Sequence, residues 1–482
     1  MNDLDISVVT KRSAHGVAAL ISRTFLLNIV SFFSSLIIFT ILTPQDVGIY
    51  TAVIAIQRII SFFTDVGFGA ALIQKKDELQ TEDLVTSFTI QAFLTFTVFF
   101  VVFIFLGSIL NFFHLDQVGG RLLLALVFSI FLSSFKTIPS ILLERKIEFQ
   151  KLVIPQMAES VVFNFIVIGM VNNGFGIDSF TIAFLVSSVI SIPIYYHVSP
   201  WSIKIGINKV SLQHLKFGLA YQTKNILATI KDDLLTVMLT RFLTFSEIGY
   251  IGFAQRLSFF VFRYIVDSVT KVTFSTYSRI QDRMDLLRIG IEKSLFFVSS
   301  VMFPLLLGLI LAGPSLIHYF PKWHGKWEPA ITSLIFFCLN ALISSLSGIL
   351  VNVLDATGKV KTTLKLMIVW TVLTWSLTLF FIRVYGFNGV AIASFLVTTT
   401  IFVTIHLVKK NVVDFQFIKS IYKPIISSVI MGIFLYFSLA LFVNSMLLLI
   451  IFGILSGMLY LAVLYSFAKK EVLEDVRFFL KL

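Results

Sequence analysis

Long apolar segments separated by short polar loops extend along the whole chain. A helix needs about 20 apolar residues to cross a bilayer, and fourteen segments reach that length: 16–41, 47–72, 84–110, 122–143, 153–173, 179–198, 216–243, 248–274, 294–320, 328–354, 362–385, 388–408, 424–443 and 445–467. Charged residues interrupt the seventh and eighth segments, so we expect those two to be buried among the other helices. The pattern predicts an all-α polytopic membrane protein with about 14 transmembrane helices.

Basic residues accumulate in every second loop and at both ends of the chain. Most of the 38 Lys and Arg residues belong to these regions, whereas the opposite loops hold Arg121, Lys322, Lys326 and Arg383. Loops rich in Lys and Arg remain cytoplasmic, so both termini are predicted to lie in the cytoplasm. The first segment lacks a small-residue cleavage site and is predicted to be a retained helix.

The composition supports a membrane protein and explains the basic charge. The chain is 57% apolar and 13% charged, with a mean hydropathy of +0.94, whereas a soluble domain is about 25% charged. The net charge of +12 follows from the basic cytoplasmic loops, so we expect no nucleic-acid partner. Cys338 is the single cysteine, which excludes an intrachain disulfide.

Cationic residues lie inside or near the ends of several predicted spans: Arg23, Arg58, Lys136, Lys224, Lys231, Arg241, Arg256, Arg263 and Lys271. A charge at the bilayer centre costs roughly 2.5 to 3.5 kcal/mol, so such residues normally face a wet interior and mark a pathway. The same spans offer fewer acids, chiefly Asp65, Glu159, Asp232, Asp233 and Asp267. We therefore expect an anionic ligand to bind inside the protein or to pass through it.

The spacing of these charges separates ligand candidates from structural ones. Arg58 is near the middle of span 2, and a contact with Asp65 on the same helix would be long, so Arg58 is predicted to be free for a ligand. Span 8 carries one continuous charged stripe, in which the i, i+4 pair of Arg263 and Asp267 can also be structural. The stripe contains Arg256, Arg263, Asp267 and Lys271.

Five further charged residues are open to structural interpretations. Lys231, Asp232 and Asp233 lie in the middle of span 7, where they can neutralise one another or form a cation or proton site. Lys136 and Arg241 lie nearer the ends of their spans, and we expect both to be structural.

The two halves of the chain are related by an internal repeat. With an offset of 201 residues, 42–48 (LTPQDVG) aligns without a gap to 243–249 (LTFSEIG), and Arg23 pairs with Lys224. Six spans separate the copies, so both halves have the same orientation, as in a parallel repeat.

Several stretches resemble one transporter family: 42–50 (LTPQDVGIY), 63–74 (FTDVGFGAALIQ), 143–150 (LERKIEFQ), 277–282 (YSRIQD) and 321–327 (PKWHGKW). They are similar to the polysaccharide transporter family of the multidrug/oligosaccharidyl-lipid/polysaccharide (MOP) flippase superfamily, in its colanic-acid and teichuronic-acid exporter branch. The resemblance implies two pseudo-symmetric six-helix lobes in a MATE-like V, residues 1–205 (spans 1–6) and 206–410 (spans 7–12). Residues 411–482 would add spans 13 and 14 and a cytoplasmic tail.

The resemblance also implies a function. Family members move undecaprenyl-diphosphate-linked oligosaccharides from the inner to the outer leaflet of the bacterial inner membrane by alternating access, and a polysaccharide polymerase and assembly proteins are possible partners. The diphosphate would bind to Arg23, Arg58, Lys224, Arg256 and Arg263. Asp65, Asp232, Asp233 and Asp267 would serve in coupling or as counter-charges, with Na⁺ or H⁺ as the coupling ion and no other cofactor. The alternatives are a flippase for lipid-linked peptidoglycan precursor and a cation-coupled multidrug or metabolite antiporter.

Enzymatic chemistry is not expected, because the short loops leave no extramembrane domain. Thr357, Gly358 and Lys359 resemble the end of a P-loop, but Val353 stands where the first glycine is required. His318 and His324 are six residues apart in a loop region without a cysteine or carboxylate neighbour, so no metal site is predicted.

Overall fold

The computed structural model of the protein describes residues 26–27, 29–64, 72, 79–146, 148–208 and 230–480. Within these ranges the chain forms helices and loops and no strand, so the predicted all-α membrane fold is confirmed. By its contacts the chain divides into two compact units, Met1–Ile248 and Gly249–Leu482. The predicted boundaries near residues 205 and 410 stay predictions.

The first unit is built around one long helix. Its helices are α1 (Ile29–Ile41), α2 (Pro44–Thr64), α3 (Thr81–Ile104), α4 (Leu106–Phe113), α5 (Gln117–Arg145), α6 (Phe149–Asn172), α7 (Asp178–Val198), a π-helical turn (Ile230–Leu234) and α8 (Leu235–Leu239). Helix α5 packs against α2, α3 and α7, and α6 packs against α7. The apolar face of α5, with Leu122, Leu123 and Val127, is fully buried in this core.

The second unit is formed by longer helices. They are α9 (Phe245–Ile280), α10 (Met284–Tyr319), a 3-10 turn (Glu328–Ala330), α11 (Ile331–Ala356), α12 (Val360–Tyr385), α13 (Asn388–Thr398), α14 (Ile401–Asn411), α15 (Phe417–Leu441) and α16 (Met446–Leu480). Helix α10 packs against α11 and α15, and α11 also packs against α13. Leu295, Leu306 and Ile349 are among the fully buried residues of this core.

Ten helices of the described chain are long and apolar enough to cross a membrane: Thr81–Ile104, Gln117–Arg145, Phe149–Asn172, Asp178–Val198, Met284–Tyr319, Glu328–Ala356, Val360–Tyr385, Asn388–Asn411, Phe417–Leu441 and Met446–Lys469. They correspond to the predicted spans 3–6 and 9–14. Spans 2 and 8 are helical as α2 and α9, but α9 carries the charges that interrupt its apolar pattern. The exact count of fourteen spans stays a prediction.

Two helices extend well beyond their predicted spans. Helices α9 and α10 have 36 residues each, or about 54 Å of helix at 1.5 Å per residue. The hydrocarbon core of a bilayer is only about 30 Å thick. The predicted spans 248–274 and 294–320 therefore cover only part of each helix, because hydropathy marks only its apolar part.

The predicted span 388–408 is divided into α13 and α14 at a run of threonines. The hydroxyls of Thr398, Thr399 and Thr400 donate to the carbonyl oxygens three residues earlier, at 2.6, 2.7 and 2.7 Å. Side-chain hydrogen bonds of this kind compete with the helical ladder and bend helices. The indole of Trp370 donates to Thr400 Oγ1 at 2.8 Å and holds the break against α12.

The internal repeat has the same hydrogen bonds in both copies. In the first, the backbone N–H of Thr43 donates to Asp46 Oδ2 (3.0 Å), and the N–H of Asp46 donates to Thr43 Oγ1 (3.2 Å). In the second, the N–H of Thr244 donates to Glu247 Oε2 (2.7 Å), and that of Glu247 donates to Thr244 Oγ1 (3.3 Å). Each is a reciprocal capping box at a helix start. The repeated helix start predicted at an offset of 201 residues is therefore present in the structure.

Candidate functional site

The predicted site residues are distributed over both units. Arg23, Asp65 and Lys224 lie outside the described residues, as does the side chain of Lys231, and their roles stay predictions. The candidates that the structure describes are Arg58 on α2, Asp232 and Asp233 in the π-helical turn, and the charged residues of α9.

Arg58 is paired with an acid, contrary to the expectation that it would be free for a ligand. Its Nη1 lies 3.3 Å from Oδ1 of Asp233, and the exposed fractions of the two side chains are 54% and 17%. The partner is 175 residues away in sequence, so spacing along α2 did not indicate it. The contact involves one atom pair and a half-exposed guanidinium, which retains other N–H groups for hydrogen bonding.

The acids of span 7 lie in a π-helical turn, Ile230–Leu234, which packs against α2. The Thr236 hydroxyl donates to the Asp232 carbonyl oxygen at 2.8 Å. Such turns are rare and are frequent at functional sites. Asp232 is exposed and Asp233 is partly buried. The two neighbouring carboxylates therefore have different environments.

Helix α9 presents its charges on a single exposed face. Four charged residues share this face and are exposed: Arg256, Arg263, Asp267 and Lys271. Leu257, Ser258 and Val266 lie between them in sequence and are buried. From Arg256 to Lys271 this charged stripe extends about 22 Å along the helix axis. The continuous stripe predicted from the spacing is present in the structure.

Polar contacts with α11 fix the rotation of α9 about its own axis. Ser258 Oγ lies 3.3 Å from Cys338 Sγ, and both residues are fully buried. Toward the other end, the Asn352 amide donates to the Thr270 carbonyl oxygen (3.0 Å) and to Thr273 Oγ1 (2.7 Å). The buried face is thereby held against α11, and the charged stripe is left facing outward from it.

The charged stripe has an excess of positive charge. Asp267 is its one acid, and the charges of Arg263 and Lys271, one turn away on either side, act on its carboxylate. Three of its four residues are cationic, so the stripe carries a net positive formal charge. Exposed charges on a membrane-length helix require water or an ionic partner, because hydrocarbon offers neither.

Lys136 and Arg241 have the contacts expected of structural cations. Lys136 Nζ lies 2.7 Å from Glu159 Oε1 and 3.2 Å from Ser191 Oγ, which links α5 to α6 and α7. The guanidinium of Arg241 lies over the ring of Phe112, with its Cζ 4.2 Å from the ring centroid. Lys136 is buried, whereas Arg241 is exposed and packs on the Phe112 ring.

One constellation was missed by the sequence analysis. His318, His324 and Glu328 bring their ligand atoms within 4.8 Å of one another, and His324 Nδ1 lies 2.6 Å from Glu328 Oε1. The statement that these histidines lack a carboxylate neighbour was wrong. Glu328 follows His324 by four residues, a separation short enough for the two side chains to meet across the turn between them. That spacing was the available signal.

Comparison with known proteins shows the family. Residues 37–332 match the family described as polysaccharide biosynthesis protein, a match that covers more than half of the chain. The chain belongs to this family. The resemblance to the polysaccharide branch of the MOP flippase superfamily is therefore confirmed.

Two relatives of this polysaccharide biosynthesis protein support the assignment. It is 24% identical over 335 residues to the lipopolysaccharide biosynthesis protein WzxC of Escherichia coli (strain K12), covering 67% of this chain and 66% of WzxC. It is also 24% identical over 357 residues to an uncharacterized membrane protein in the cps region of Klebsiella pneumoniae, covering 71% and 70% of the two chains. The chain thus matches slightly less than two thirds of the length of WzxC.

Solved structures share the fold. The lipid II flippase MurJ in an inward closed conformation matches with a TM-score of 0.77 at 19% identity, covering 94% of this chain and 99% of MurJ. An inward-facing multidrug resistance MATE family transporter of the MOP superfamily matches with a TM-score of 0.62 at 14% identity, covering 82% and 99%. The chain is therefore a multi-pass membrane protein with a MurJ-like and MATE-like fold.

Proposed function

We propose that this protein is a flippase that translocates a polyprenyl-diphosphate-linked oligosaccharide from the inner to the outer leaflet of the bacterial inner membrane. The observation that carries the proposal is the charged stripe of α9, an exposed row of mostly cationic residues on a helix of membrane-spanning length. The family supports a role in polysaccharide biosynthesis. The names of two similar proteins point to lipopolysaccharide and to lipid II.

The chemistry of the stripe suits a lipid diphosphate. The anionic diphosphate cannot enter hydrocarbon without compensation, and a guanidinium matches phosphate oxygens with two parallel hydrogen bonds. Arg256, Arg263 and Lys271 offer successive cationic positions over about 22 Å, most of the thickness of the hydrocarbon core. We infer that the diphosphate moves along these positions while the lipid tail stays in the bilayer.

Export of the anionic lipid and return of the empty protein require different compensation of the cationic side chains. The inside-negative potential favours outward movement of an anion by about 2.3 kcal/mol per charge per 100 mV. After the lipid has left, the surplus cations need neutralisation. Asp267 and Asp233 are each already near a cation, so they can supply it directly or by carrying Na⁺ or H⁺. The protein would complete the cycle by alternating between an inward-open and an outward-open state. A polysaccharide polymerase would then receive the exported oligosaccharide.

Two other functions are compatible with the fold. One is a flippase for lipid-linked peptidoglycan precursor, to which the likeness to the lipid II flippase MurJ points. The other is a multidrug or metabolite antiporter, to which the likeness to a multidrug resistance MATE transporter points. A surface rich in cations would repel cationic drugs, which argues against it. Membership of the polysaccharide family favours the glycan substrate over both.

Transport in proteoliposomes tests the proposal. We expect the Arg256→Gln, Arg263→Gln double variant to flip a fluorescent undecaprenyl-diphosphate oligosaccharide at least about tenfold more slowly, since each lost charge-assisted hydrogen bond is worth about 1.5 to 3 kcal/mol. The Arg→Lys variants should retain part of the rate because they keep the charge but lose the paired geometry. The measurement is the lipid fraction that becomes accessible to an impermeant quencher.

The matched control is Arg279→Gln, an exposed arginine on the same helix beyond the predicted span. It should transport at the normal rate. Normal transport by the double variant would refute the role of the stripe. Parallel assays with lipid II and with a cationic dye distinguish the three functions. To identify the coupling ion, the transport rate is measured under an imposed membrane potential, a Na⁺ gradient or a pH gradient. Each measurement compares Asp267→Asn with the parent protein.

A further inference from the structure

We propose that His318, His324 and Glu328 form a zinc site in the loop between α10 and α11. The loop lies on the non-cytoplasmic side in the predicted topology, far in sequence from the charged stripe of α9. Two imidazoles and one carboxylate are ligands that zinc prefers. Their nitrogen and oxygen atoms all lie within 4.8 Å of one another, and they come from the last turn of α10, the loop and the 3-10 turn.

The distances require only small side-chain movements. Two ligand atoms on a tetrahedral zinc, each about 2.0 to 2.1 Å from the metal, lie about 3.3 Å apart. The contact between His324 Nδ1 and Glu328 Oε1 is shorter, at 2.6 Å, and the widest separation in the set is at most 4.8 Å. The rings of His318 and His324 meet edge to face, with centroids 4.4 Å apart. Rotation of exposed side chains is sufficient to bring the three atoms to metal distance.

The loop backbone is held rigidly beneath these side chains. Trp323 and Trp327 are fully buried, and Trp327 stacks on Phe253 with ring centroids 4.4 Å apart and an interplanar angle of 7°. The loop turns through left-handed backbone at Lys322 (φ 62°) and Gly325 (φ 73°). A site on an anchored frame loses little conformational entropy when the metal binds, which favours affinity.

The site would fasten the end of α10 to the start of α11. Three protein ligands leave the fourth tetrahedral position for water. Because the ligands come from both sides of the loop, bound zinc would restrict its movement and stabilise the folded state. The site would therefore set the rigidity of the loop that joins two membrane-spanning helices.

Calorimetric titration with ZnCl₂ tests the site on the full chain, purified in detergent without a polyhistidine tag. We expect one high-affinity zinc per chain and a zinc-dependent rise in Tm. His318→Ala, His324→Ala and Glu328→Gln should each weaken binding at least tenfold. The matched controls are His197→Ala and His406→Ala, which remove exposed histidines elsewhere in the chain and should change nothing.

Cobalt provides a second readout that does not depend on stability. Co²⁺ bound by His318, His324 and Glu328 should give the visible absorption of a tetrahedral site, and Zn²⁺ should abolish it. Absence of zinc binding by the parent protein, or equal binding by the triple variant, would overturn the proposal. If Glu328→Gln changes Tm by the same amount with and without zinc, Glu328 stabilises the loop only through its hydrogen bond to His324, and the zinc proposal is wrong. Neither result would affect the transport proposal.

Discussion

At the scale of single residues, the decisive property of an intramembrane charge is its partner. Lys136 and Glu159 form a nearly buried pair, with exposed side-chain fractions of 11% and 30%. The sequence identified both residues as charges within spans but not as a pair, because they belong to different helices. The same holds for Arg58 and Asp233. Spacing predicts partners along one helix, whereas partners between helices depend on packing that the sequence pattern does not contain.

We predict that Glu159→Gln destabilises the protein by about 2 kcal/mol, because it leaves the buried Lys136 ammonium without its counter-charge. The figure is below that of a fully buried pair because Glu159 is partly solvated. The double variant Lys136→Met, Glu159→Gln should recover most of the loss, since neither charge remains. Unfolding in detergent measures the effect.

The control for this pair is a surface pair in the same unit. Arg121 and Asp178 form two hydrogen bonds, at 3.0 and 2.7 Å, with exposed side-chain fractions of 51% and 34%. Asp178→Asn should cost no more than about 1 kcal/mol because solvent screens the exposed pair. If Glu159→Gln destabilises the protein no more than Asp178→Asn does, the pair of Lys136 and Glu159 is not a structural link.

At the scale of helices, local signals predicted where elements begin better than where they end. The alignment of 42–48 with 243–249 predicted equivalent structure in both copies, and it succeeded because the capping that begins each helix depends on residues only three apart. The predicted spans 248–274 and 294–320 cover only part of α9 and α10, since hydropathy does not mark the more polar ends of these helices. The break between α13 and α14 was also missed, because an apolar run with three threonines satisfies the same length criterion as a continuous helix.

We predict that Thr43→Ala and Thr244→Ala each cost about 1 kcal/mol of local stability, the usual effect of losing an N-cap. Hydrogen exchange measured by mass spectrometry should accelerate in peptides covering 43–49 and 244–250, respectively. Thr43→Ser and Thr244→Ser keep the hydroxyl and should exchange like the parent protein. If exchange accelerates in only one of the two variants, the two capping boxes contribute unequally to stability although they have the same hydrogen bonds.

At the scale of the whole molecule, the fold class followed from hydropathy because the bilayer imposes helices of a given length. The candidate site could be predicted from the sequence only in part. The charged stripe was predictable, since it lies on one helix. The cluster of His318, His324 and Glu328 was predictable only in part, since the spacing of His324 and Glu328 is local but His318 comes from the end of α10. The orientation rests on the distribution of Lys and Arg alone. Helix α12 allows a direct test, because Lys361 and Arg383 lie at its two ends and are both exposed.

We predict that Arg383→Cys reacts with a membrane-impermeant maleimide in spheroplasts, whereas Lys361→Cys reacts only after permeabilisation. The two positions are separated by about 33 Å of helix, which exceeds the hydrocarbon thickness, and the basic end should remain in the cytoplasm. The parent protein is its own background control: Cys338 is its single cysteine and is fully buried, so it should not react. Labelling of Lys361→Cys from outside would reverse the orientation. The zinc-site loop would then face the cytoplasm, and the charged stripe would have to accept its anion from the opposite leaflet.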